Sequence, residues 1–123
     1  MIVMKGCVET PAVFSVSRHL IFKDKILGSS LARTLGAWLE GISGWLREND
    51  YLMGHLKILA TAEGEQVRIS LTKGPVNSHS SPAWPDTLIE AVDLYVTLIV
   101  FGPDHDAFRR EVTFRMNDLS AFR

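Results

Sequence analysis

Between Asp24 and Glu48 the apolar residues fall at helical steps. Leu27, Leu31, Leu35, Trp38, Leu39, Ile42, Trp45 and Leu46 recur every three or four positions. At about 100° per residue they occupy an arc of roughly 120°, the stripe of a helix resting on one core. Lys25, Arg33, Glu40 and Arg47 point away from that stripe. Asp24 is placed to cap the N-terminus, and Asn49-Asp50 to stop the helix. Ser30, Ala37, Gly41 and Gly44 gather on the outward flank. Two glycines inside a helix cost about 1 kcal/mol each relative to alanine. Close approach by another backbone, such as a second subunit, explains that cost; local tolerance on a bland surface is the competing explanation.

Elsewhere the pattern is two-residue alternation, the mark of strands. Met1–Val8 is a short apolar segment weakened by Gly6, and Thr10-Pro11 reads as a turn or strand edge. In Val13–Phe22, Phe14, Val16, Leu20 and Phe22 share one side, interrupted by Arg18. Val13, Ser15, Ser17, His19 and Ile21 share the other. In Tyr51–Thr61, Leu52, Gly54, Leu56, Ile58 and Ala60 fall together, against Met53, His55, Lys57, Leu59 and Thr61. Ala62-Glu63-Gly64-Glu65 is a turn. Val67, Ile69 and Leu71 then alternate with polar residues to complete a hairpin.

Lys73–Pro85, with its glycine, serines and three prolines, reads as a long loop. Trp84 at its end either plugs the core or lines a pocket. Residues 86–94 fit a short helix opened by Pro85-Asp86. The alternation of Val92, Leu94, Val96, Leu98 and Val100 favours one long strand instead. Gly102-Pro103-Asp104 turns the chain. Val112, Phe114 and Met116 then alternate with Glu111, Thr113 and Arg115, which predicts a final strand over Arg110–Met116, with fraying beyond.

The expected fold is α+β: one long amphipathic helix packed on a mostly antiparallel sheet of four to six strands, as a single domain over residues 1–123. The helix covers one sheet face. Tyr95, Ile99, Phe101, Ile21, Met53 and Leu59 fall on the other, which is too apolar to be wholly wet. A homodimer, the 73–85 loop or a ligand would cover it, and a symmetric partner is the simplest solution.

Composition narrows the function classes. The chain holds 13 basic and 14 acidic side chains, for a net charge of −1. That balance argues against a general nucleic-acid binder, which needs a basic face. No run reaches the roughly 18 apolar residues of a membrane span, and no secretory leader is recognisable. The expectation is a soluble, cytoplasmic protein. Cys7 is the only cysteine. It reads as a small hydrophobe rather than a nucleophile, and it excludes a multi-cysteine zinc site within one chain.

Candidate chemistry centres on Gly54-His55-Leu56-Lys57. His55 and Lys57 are two apart on a strand and share a face. A histidine beside a fixed positive charge suits binding of a phosphate or carboxylate, or proton transfer. Arg68 on the neighbouring strand extends the patch. The plainer alternative is an ordinary polar strand face. Asp104-His105-Asp106, together with His79, holds residue types that ligate Zn²⁺ or Ni²⁺, although none of the usual ligand spacings is present. The Rossmann fingerprint, the P-loop and the nucleophile elbow are absent.

The sequence therefore points to a small accessory or binding domain, acting as a homo-oligomer. It would recognise a protein partner or a small anionic ligand through His55, Lys57 and Arg68. An enzyme with His55 as general acid or base, its negative group held by Lys57 or Arg68, is the first alternative. A metal-binding accessory protein is the second. The sequence leaves the cofactor unknown.

Overall fold

A computed structural model describes residues 10–72 and 74–120. The Met1–Val8 segment, Cys7 and the extreme C-terminus lie outside that range. The order is β1 (Ala12–Leu27), α1 (Gly28–Glu48), β2 (Leu52–Ala62), β3 (Glu65–Leu71), β4 (Asn77–Ser80), a 3₁₀ turn (Trp84–Asp86), β5 (Leu88–Phe101) and α2 (His105–Ser120). The strands form a five-stranded sheet in the order β1-β5-β2-β3-β4. Every neighbouring pair is antiparallel. This is an α+β fold with two helices packed on an antiparallel sheet. No helix among the described residues is long and apolar enough to cross a membrane.

β5 organises the sheet. Val92, Leu94, Val96, Leu98 and Val100 are all buried, and both flanking strands pair with this one. Residues 88–94 are strand, as the alternation required, and Pro85 opens only the short 3₁₀ turn. α1 lies on the buried face. Leu35, Leu39 and Ile42 are completely enclosed, each such burial stabilising by about 1.5–3 kcal/mol.

The helix starts later than its polar signals indicate. β1 runs on through Leu27, which sits at the N-cap position without a side-chain cap, and Asp24 caps nothing. Lys23, Asp24 and Lys25 instead occupy an irregularity where β1 loses register with β5 between Ile21 and Ile26. A charged bulge of this kind blunts an edge strand against further pairing. The stop at Asn49-Asp50 is present, with Asn49 at the C-cap and Asp50 at a φ of 57°.

The predicted final strand is a helix. Phe108, Val112, Met116 and Leu119 are buried at helical spacing, whereas Phe114 is 70% exposed. Asp104 initiates α2 by accepting a hydrogen bond from the Ala107 N–H at 3.0 Å. The Trp38 indole N–H donates to the Arg115 carbonyl at 2.7 Å, and Trp45 stacks on Phe108 at 6.2 Å. α2 therefore packs beside α1. The Arg115 guanidinium comes within 3.4 Å of where a Gly41 β-carbon would stand. The close neighbour of that glycine belongs to the same chain.

Residues 74–85 also carry structure. β4 adds to β3 at the sheet edge, and Trp84 plugs the core at 1% exposure. The alternation of β2 does not hold along the whole strand. Its register with β5 shifts between Met53 and His55. Gly54 lies at the shift, where a β-carbon would come 2.8 Å from the Ile99 carbonyl oxygen. Below the shift the faces exchange: Leu52 is 64% exposed, opposite Phe101, and Met53 pairs with buried Val100.

Candidate functional site

Successive strand residues point to opposite faces, so the registers define what the uncovered face presents. One row across it runs Val13, Ile99, His55. The next runs Ser15, Thr97, Lys57, Ser70, Asn77. A third runs Ser17, Tyr95, Leu59, Arg68, His79, and a fourth His19, Asp93, Thr61, Gln66. The rim near Val13 and Ile99 is apolar, and the middle of the face is cationic and hydroxylic.

Lys57 and Arg68 stand on the two strands of the β2–β3 hairpin. Lys57 pairs with Ser70 and Arg68 with Leu59, so the two cations are diagonal neighbours at a spacing of about 7–8 Å. The hairpin that holds them turns through Glu63-Gly64, both at positive φ, the geometry that matches strand twist. Around them lies a cleft of about 530 Å³, lined by Lys57, Leu59, Arg68, Ser70, His79, Tyr95 and Thr97 together with Ile58 and Ile69. Leu59 gives it an apolar floor, and Tyr95, Thr97 and Ser70 supply hydroxyls.

Ion pairing leaves this pair of cations uncompensated. Among the described residues the salt bridges are His19–Asp93 and Arg115–Glu111. Lys57 and Arg68 take part in neither. Their donors therefore face the cleft with no carboxylate among the described residues bound to them.

His55 lies one row away, half-buried opposite Ile99. It shares the face with Lys57 but does not line the cleft. No side-chain hydrogen bond among the described residues fixes its ring. His79, assigned from the sequence to a metal set, stands on β4 opposite Arg68 and lines the cleft instead. Asp104 is occupied at the start of α2, and His105 and Asp106 are exposed in the same first turn. No three His, Cys, Asp or Glu side chains among the described residues come together in a way that would hold a metal ion.

Sequence reasoning missed one polar pair. His19 on β1 and Asp93 on β5 are direct cross-strand partners, with Nδ1 and Oδ1 2.7 Å apart. They are 74 positions apart in the chain. The only sequence signal was that each alternates onto the open face of its own strand. Comparison with family models, with curated proteins and with solved structures finds no match.

Proposed function

We propose that this domain is a binding module that holds a small anionic ligand on the open face of its sheet, with Lys57 and Arg68 gripping the negative group. One observation carries this reading: two cations on adjacent strands, without carboxylate partners among the described residues, line a common cleft with an apolar floor. Guanidinium and ammonium groups are donors only, and each bond to an anion is worth about 1.5–3 kcal/mol. Ser70 and Thr97 complete the donor set, and Tyr95 and Leu59 accept an apolar ligand body. Titration with inorganic phosphate, followed by residue-resolved NMR shifts, tests the assignment.

A second reading concerns self-association. Val13 and Leu52 are exposed at one end of the same face, beside half-buried Ile99 and Phe101. That apolar rim supports a homodimer in which the partner covers this end and leaves the cationic cleft open. Light scattering across a dilution series tests it, with Leu52→Glu expected to yield a monomer.

A further inference from the structure

Tyr95 borders several depressions at once. It lines the cationic cleft and also a shallower hollow with Ser17, Arg18, His19 and Asp93. The two ends differ in hydrogen-bonding character. Lys57 and Arg68 offer donors only. At the other end Asp93 accepts from His19 at 2.7 Å. In the neutral imidazole that bond holds the proton on Nδ1 and leaves Nε2 as an acceptor.

Between the ends, Tyr95 and Leu59 face each other directly across β5 and β2. Tyr95 is 47% exposed, so its ring is available as a platform. The sequence across the sheet is thus donors on β3 and β2, an apolar step, then the acceptors of Asp93 and His19 on β5 and β1, with the Arg18 guanidinium beside them donating to the Ser17 carbonyl. From Arg68 on β3 to His19 on β1 is three strand spacings and one row, about 16 Å between backbones.

We propose that the ligand is a planar-ringed anion. Its phosphate or carboxylate sits on Lys57 and Arg68, its ring lies over Tyr95 and Leu59, and an amino or hydroxyl donor at its far edge reaches His19 Nε2. This rests on the anion-binding reading above and adds the ligand's shape and polarity to it. A purine mononucleotide has this arrangement of groups, and AMP is a suitable probe.

The test compares three probes on the full chain by calorimetry: AMP, purine riboside 5′-monophosphate, which lacks the amino group, and inorganic phosphate. AMP is expected to bind about tenfold or more tightly than phosphate, through ring stacking. Removing the amino group is expected to cost about threefold to tenfold. His19→Ala should erase the difference between the two nucleotides while leaving phosphate binding unchanged. His19 is exposed, so this variant should fold, and circular dichroism checks that. If AMP binds no better than phosphate, or both nucleotides bind equally to the wild-type chain, the ligand assignment is overturned and the anion site stands. If none of the three binds, the anion site itself is overturned.

Discussion

Gly28 and Trp84 interlock where the first strand becomes the long helix. The Trp84 indole N–H donates to the Gly28 carbonyl at 2.9 Å, and a β-carbon on residue 28 would overlap the Trp84 carbonyl oxygen. The Gly28 N–H in turn donates to the Thr87 carbonyl at 2.9 Å. This joint sets the position of α1 over the sheet and anchors the start of β5. Gly28→Ala is therefore expected to destabilise the fold by roughly 3 kcal/mol or more, because backbone rather than a movable side chain must give way. Urea denaturation measures it; a loss under about 0.5 kcal/mol, the range of an ordinary surface change, would contradict the packing described.

Gly54 permits the register shift that turns Leu52 outward. A β-carbon on residue 54 would come 2.8 Å from the Ile99 carbonyl oxygen and 3.2 Å from the Phe101 ring. Gly54→Ala should cost about 1–3 kcal/mol. It should also speed amide exchange at Met53 and His55 more than at Ile58, deeper in the pair. Uniform exchange along β2 would show that the strain is not local.

Val112 and Phe114 distinguish a helix from a strand. A strand would bury both on one face; in α2 Val112 is enclosed and Phe114 is 70% exposed. Val112→Ala is expected to cost about 1–3 kcal/mol, and Phe114→Ser no more than about 0.5 kcal/mol. Equal losses in thermal unfolding would argue for the strand.

Asp104 serves as a helix cap. Asp104→Ala should lower stability by about 1 kcal/mol. Added Zn²⁺ or Ni²⁺ should leave the Tm of the wild-type chain unchanged, because a metal that bound the folded state would raise it.

The main outline of the fold was legible because its signals were periodic. The stripe from Leu31 to Leu46 matched the helical period, and the alternation from Val92 to Val100 favoured a strand over the short helix that residues 86–94 also fit. Arg110–Met116 was ambiguous: Val112 and Met116 fit both a two-residue and a four-residue step. Only Phe108 and Leu119, outside that window, select the helix. Asn-Ser-His-Ser at β4 has no apolar residue, so nothing local marks it; pairing with β3 makes it a strand. Asp24 resembles a cap by type, but the bulge in β1 carries the chain past it. At the site, Lys57 and Arg68 were traceable through the hairpin that joins them. His19 and Asp93 meet only through the β1–β5 register, which no local pattern encodes.

The cationic cleft is the centre of the functional account, and one titration tests it directly. Inorganic phosphate is added to ¹⁵N-labelled protein at low ionic strength, beside a Lys57→Ala/Arg68→Ala variant. The account predicts saturable shifts at Lys57, Arg68, Ser70, His79 and Thr97, weakening with added salt. In the variant affinity should fall about tenfold to a hundredfold while the fold is retained. Shifts confined to other surfaces, or unchanged binding in the variant, would contradict it.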